Sequence, residues 1–200
     1  TILTVTEAAT TRKLTTREAF RTLMSIADSD SDVRIDQEID RASAAIETYC
    51  GRIFAKQTYS EQFRGVHCLA ELMLARFPVV SVTSITVDGV ALTTDEFETD
   101  KESGFLHRLS SDTPISWWGD KITVVYVAGF ALPGQAERTL PHDIEDACLE
   151  QVKSKWFSGT RDPLIKTEKV DGIDEVTYWV GQVGDNAALA PQVVDRLAPY

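Results

Sequence analysis

At 200 residues, with 43% hydrophobic and 26% charged side chains, the chain has the makeup of a globular protein that can bury a core of its own. Its 31 acidic against 20 basic side chains leave a net charge of -11, with no basic cluster beyond Thr11-Arg12-Lys13, which opposes affinity for a phosphate backbone. No run reaches the length of a membrane span and the N-terminal TILTVTEAATTRKL lacks the layout of a signal peptide, so synthesis in a cytoplasm is expected.

The first predicted element lies in Leu14 to Ala27, where Thr15-Thr16-Arg17-Glu18 fits a capping box with Thr15 as cap. Phe20, Leu23, Met24 and Ala27 would form its apolar stripe. The linker Asp28-Ser29-Asp30-Ser31-Asp32 sets carboxylates at alternate positions, as a calcium loop does. It then places Val33 where such a loop needs glycine and Ile39 where it needs a bidentate glutamate, and so reads as a polar turn.

A second, better-defined helix follows. Ile35, Ile39, Ala42, Ile46, Tyr49, Cys50 and Ile53 recur in steps of three and four, so they share one stripe. Asp36, Glu38, Asp40, Arg41 and Glu47 occupy the opposite face, Ser31 or Asp32 can cap the start, and Gly51 offers a left-handed stop.

Beyond Gly51 the pattern turns strand-like, with Lys56–Phe63, Leu69–Phe77, Val79–Val87, Glu96–Thr99, Phe105–Leu109 and Lys121–Ala128 as strands. Asp88-Gly89, Glu102-Ser103-Gly104 and Gly119-Asp120 are expected turns, and short strands with tight turns imply an antiparallel sheet. The apolar phase slips near Thr83-Ser84, which signals a bulge or burial on both faces. Trp117-Trp118, placed between a strand and the Gly119-Asp120 turn, suggests packing or a contact between subunits.

After a loop from Gly129 to Leu140, Pro141 marks the first turn of a third helix running through Phe157, with Ile144, Cys148, Val152 and Trp156 as its stripe. From Thr160 to Asn186, apolar residues such as Leu164, Ile165, Val170, Tyr178 and Trp179 stand isolated among glycines and charges. Leu189-Ala190-Pro191 then starts a short helix with Val193, Val194 and Leu197, ending at Tyr200. Such a tail suggests an arm that orders against another surface.

The expected fold is therefore α+β: a small bundle of three main helices, an inserted antiparallel β-sheet and an extended C-terminal arm. As a single domain over 1–200, it would hold N-terminal helices in 1–55, the β insertion in 56–130, the third helix in 140–158 and the arm with its terminal helix in 159–200. Cys50, Cys68 and Cys148, odd in number and set among apolar residues, read as buried free thiols. His67, His107 and His142 each stand alone, and His67-Cys68 has no second pair at metal-ligand spacing. Gly181-Gln182-Val183-Gly184 lacks the lysine of a phosphate loop, so no metal, cofactor or catalytic residue is expected.

Several stretches in this order resemble the head-tail connector (adaptor) proteins of tailed bacteriophages and of gene-transfer particles. They are Ile46-Glu47-Thr48-Tyr49-Cys50-Gly51-Arg52, Gln57-Thr58-Tyr59, Phe77-Pro78-Val79-Val80-Ser81-Val82 leading to Asp88-Gly89, Val125-Tyr126-Val127-Ala128-Gly129-Phe130, Leu140-Pro141 and Leu197-Ala198-Pro199-Tyr200. The resemblance implies a non-enzymatic structural protein of the virion neck, made in the host cytoplasm and assembled as a homo-oligomeric ring, twelve-fold in such families, on the portal vertex. It also implies a portal protein as one partner and a stopper or tail-completion protein as another, with DNA passing through the channel without specific binding and no membrane contact.

On this reading Leu164, Ile165, Val170, Tyr178, Trp179, Val193, Val194, Leu197 and Tyr200 belong to a portal-docking arm. Asp36, Glu38, Asp40, Glu47, Trp117 and Trp118 are candidates for a ring or channel face. The alternatives are a small phage DNA-packaging subunit, or a hydrolase of unknown substrate using His142 or His107.

Overall fold

The computed structural model describes residues 1–158, 167–170, 174–177 and 189–200. In chain order the elements are β1 (Ile2–Glu7), α1 (Arg17–Met24), α2 (Asp32–Cys50), β2 (Gln57–Leu69), β3 (Glu71–Met73), β4 (Val79–Val87), β5 (Val90–Ala91) and β6 (Phe97–Thr99). They continue with β7 (Phe105–Ser110), β8 (Thr113–Ile115), β9 (Trp117–Ala128), α3 (His142–Ser158), β10 (Thr167–Val170), β11 (Asp174–Thr177) and α4 (Pro191–Leu197). The chain divides into a β unit, Thr1–Thr11 with Ala55–Ala131, and a helical unit, Arg12–Phe54 with Leu132–Tyr200. The mixed α+β class and the insertion of the strands between helices follow the sequence pattern. Among the described residues no helix is long and apolar enough to cross a membrane.

The β unit holds two antiparallel sheets where one was expected. One runs β1-β2-β9-β4-β5; the other runs β3-β7-β6, with β8 added to β7. Their inward side chains share a core that includes Tyr59, Phe63, Leu72, Ile85, Leu106, Trp117, Ile122 and Tyr126. β2 alternates as a half-buried strand should, sending Gln57, Tyr59, Glu61 and Phe63 inward. The buried Glu61 is satisfied by the Tyr126 hydroxyl at 2.8 Å and the Ala75 N–H at 3.0 Å, as a carboxylate removed from water must be.

Asp88 and Gly89 both take positive φ, 50° and 89°, the geometry of a two-residue hairpin turn, and set Val87 opposite Val90. The phase slip in β4 is a pair of bulges, between Val79 and Ser81 and between Val82 and Ser84.

Two expectations fail here. Residues Ile2–Glu7 form a strand along β2 rather than belonging with the helices, because ILTVTE is rich in β-branched residues and finds an edge to pair with. Gly119-Asp120 is not a turn. Gly119 lies inside β9 opposite Val66, and a Cβ there would come within 2.8 Å of the Val87 side chain, so glycine serves a close approach in the sheet.

In the helical unit Thr16, not Thr15, caps α1 by accepting the Ala19 N–H at 3.1 Å. Thr15 is buried and its hydroxyl donates to Glu145 at 3.2 Å, so it is not free to cap. α1 stops at Ser25 in the left-handed region, which leaves Phe20 as its buried anchor and Leu23 and Ala27 exposed. α2 buries Ile35, Ile39, Ala42 and Ile46, as the stripe requires, and ends at Gly51 with φ 64°. Tyr49 at the end of the stripe is exposed, and Ser31 makes no side-chain cap.

α3 presents Ile144, Ala147, Cys148 and Val152 to the same core, and the Phe20 ring meets Trp156 edge-on at 5.7 Å. β10 and β11 pair antiparallel, with Thr167 opposite Thr177.

Candidate interaction surfaces

The carboxylates of α2 expected on a ring or channel face are mostly engaged within the helical unit. Spaced one turn apart, Asp32, Asp36 and Asp40 meet a cationic strip on Arg12–Arg21. Arg17 pairs with Asp36 and, at 3.0 Å, with Asp32; Lys13 reaches Asp36 at 3.1 Å and Asp40 at 3.7 Å. Glu38 is partly buried and accepts from Arg41 at 2.8 Å.

Glu47 departs furthest from expectation. It is buried, pairs with Arg12 and takes the Phe54 N–H at 3.2 Å, so it ties the entry to α1 and the exit of α2 together instead of facing solvent. Of Asp36, Glu38, Asp40 and Glu47, only Asp40 is exposed.

The hydrogen bond from Arg17 holds the Asp36 carboxyl below its ordinary value of 3.8; burial opposes this and Lys13 adds to it. A depressed carboxylate stabilises the fold fully above the unfolded value and loses that contribution as pH falls through the folded one. Asp36→Asn is therefore expected to lower the melting temperature at neutral pH, and the gap from the parent should close as pH falls below 3.8. Melting curves across acid pH check this; a gap that widens on acidification would contradict the pairing.

The two tryptophans part company. Trp117 is 0% exposed, its Nε1–H donates to the Leu106 carbonyl at 3.0 Å, and it belongs to the core rather than to any outer face. Trp118, next along β9, is 63% exposed and stacks at a tilt on His67, 5.0 Å between ring centres. Strand alternation makes this division, and adjacent aromatics in a strand must take opposite faces. Beside that pair, Cys68 sits at a bulge in β2 with φ 60° and is exposed, which corrects its expected burial; Cys148 is buried and Cys50 partly so, and all three thiols are free.

The terminal helix α4 is part of the helical body. Val193 and Leu197 are buried, the Ala190 N–H bonds the Gln151 side chain at 2.9 Å, and Arg196 spans Asp146 and Glu150 on α3. Tyr200 sets its ring against Phe54 at 6.5 Å, while Val194 is partly exposed. Two residues expected to dock a partner thus fill the subunit's own core, because an amphipathic turn of this size gains most from the nearest apolar surface. Leu164, Ile165, Tyr178 and Trp179 lie outside the described residues, and Val170 ends the β10 strand.

His142 opens α3 exposed, and His107 lies 3.7 Å from Glu71.

The model of the head completion protein family matches residues 13–157. No curated protein matches the chain. Solved structures share the fold. A chain in the neck of an empty gene transfer agent particle, computed with C6 symmetry, aligns with TM-score 0.55 at 15% identity, covering 98% of this chain and 95% of that one. A chain from the neck of the native particle, computed with C12 symmetry, gives 0.53 at 16% over 81% of this chain and 86% of its own. A chain of the native virion gives 0.53 at 16% over 87% and 88%.

Proposed function

Because the chain belongs to the head completion protein family, we propose that it is a head-tail connector that forms a ring on the portal vertex of a virion or gene-transfer particle. In this role it extends the DNA channel at the neck and receives the next neck or tail protein. The observation that carries the reading is the family match across residues 13–157, which takes in most of both units. The likeness to neck chains over nearly the whole length supports the same placement.

The partners of the proposed connector are the portal protein on one side, a stopper or tail-completion protein on the other, and further copies of itself in a twelve-fold ring. The net charge of -11 suits a channel that lets DNA pass without holding it. Portal docking would fall to the segment carrying Leu164, Ile165, Val170, Tyr178 and Trp179, with α4 anchoring that segment to α3 through Val193 and Leu197. Trp118 and Asp40, both exposed, remain candidates for contact with a neighbour in the ring.

Truncation at Thr160 is a poor test, since it would also strip Leu189, Val193 and Leu197 from the core. Replacing 160–187 with a Gly/Ser linker avoids that loss. From Gln151, beside the start of α4, to Ser158 is about 10 Å at roughly 1.5 Å per residue, which a linker of about eight residues spans. The linker variant is expected to melt like the parent and to fail to co-sediment with the portal protein. Normal co-sedimentation would sink the docking assignment.

A further inference from the structure

We infer that copies of this chain join edge to edge through their β units, with β1 of one copy adding to the open stretch of β4 on the next. The five-stranded sheet then continues from subunit to subunit. The inference rests on the ring reading above and names the surface that would build the ring.

The first observation is the state of β1. Among the described residues it ends its sheet, and Leu3 is its one partly buried side chain. Ile2 is 56% exposed and Val5 45%. Natural edge strands are blunted by lysine, proline or inward charges; ILTVTE has none of these, and its one charge is at its end. A strand so little buried gains little from its own subunit beyond the ladder to β2.

The second observation is the opposite edge. β5 covers β4 at Thr86 and Val87, the Leu92 N–H donates to the Ile85 carbonyl at 2.9 Å, and the Val79 N–H donates to the Lys101 carbonyl. Between these lies Val80–Ser84, an uncharged stretch close to β1 in length, with Val80 42% exposed. Two copies of a chain with net charge -11 repel over most of their surfaces, and the repulsion is least where two uncharged edges meet.

Direction is the third. Every pairing along β1-β2-β9-β4 is antiparallel, so β1 and β4 run oppositely. A neighbour in the same orientation therefore offers β1 antiparallel to β4, the more favourable ladder. The contact uses two different surfaces, as head-to-tail assembly requires. The two bulges in β4 raise local twist and keep the pairing short, which turns each copy relative to the last and favours closure over a flat fibre.

Cross-linking tests this. Thr4 lies opposite Ser60, Ser81 opposite Val127 and Ser84 opposite Val125, all on the face of the sheet away from the core. In a Cys68→Ser background, the full chain carrying Thr4→Cys with Ser81→Cys, or separately Thr4→Cys with Ser84→Cys, is assembled on the portal and oxidised. One of the two pairs is expected to give a covalent ladder of multimers on a non-reducing gel. Rings seen by electron microscopy without cross-links from either pair would overturn the edge contact and leave the ring standing. The absence of rings from the unsubstituted protein would overturn both. As a companion, Ile2→Lys with Val5→Lys should melt within a few degrees of the parent yet form no ring; unimpaired rings would again overturn the contact.

Discussion

Ile46→Asp is expected to leave the helical unit unfolded at room temperature. Ile46 is 0% exposed in the middle of the α2 stripe, on a helix that packs against α3. Removing a buried isoleucine side chain costs about 2–5 kcal/mol through lost transfer and the cavity left behind. The aspartate adds several kcal/mol more, because its carboxylate is stranded without a partner. The sum, roughly 5–10 kcal/mol, is comparable with the 5–15 kcal/mol or so by which a domain of ordinary stability stays folded. Ile46→Val, which keeps shape and polarity, should cost about 0.5–1.5 kcal/mol and serves as the control. Far-UV circular dichroism against temperature checks both, and a melting curve for Ile46→Asp that overlays the parent's would remove α2 from the core.

The second large effect is expected in the β unit. Trp117→Ala should cost about 3–5 kcal/mol, the range for deleting a buried aromatic, and it also removes the hydrogen bond donated to the Leu106 carbonyl. Trp118→Ala, one residue on, should cost about 0.5 kcal/mol or less, since a largely exposed side chain gives up little buried area. Urea denaturation of the two variants checks the pair. Equal costs would mean that β9 does not alternate as described, whereas a stable Trp118→Ala that assembles poorly would place Trp118 at a contact between molecules.

Most of the local structure was legible in the chain. The steps of three and four from Ile35 to Ile46 mark α2, Gly51 its stop and Asp88-Gly89 a hairpin, because each depends on neighbours a few residues away; the phase slip near Thr83-Ser84 left a bulge and two-sided burial open, and the structure shows the bulge. The family resemblance was legible as well, carried by short stretches in a fixed order, most of which lie within residues 13–157 of the family match. The candidate surfaces were much less so. Glu47 looks like one more acid on a polar face until Arg12 and the Phe54 N–H are seen around it. α4 reads as a free arm until Val193 and Leu197 are found in the core.

By itself, then, the sequence determined the α+β class, the periodic helices, the strand-rich insertion between them and the acidic balance that argues against holding DNA. Only the tertiary structure decided that Ile2–Glu7 completes a sheet, that Gly119 accommodates Val87, that Trp117 is core while Trp118 is surface, and that Asp32, Asp36, Asp40 and Glu47 of α2 are paired from Arg12–Arg21. The reason is physical. Periodicity and turn chemistry are set by backbone sterics over a few residues, whereas which strand edge is paired, which face meets the core and which charges pair depend on partners distant in the chain.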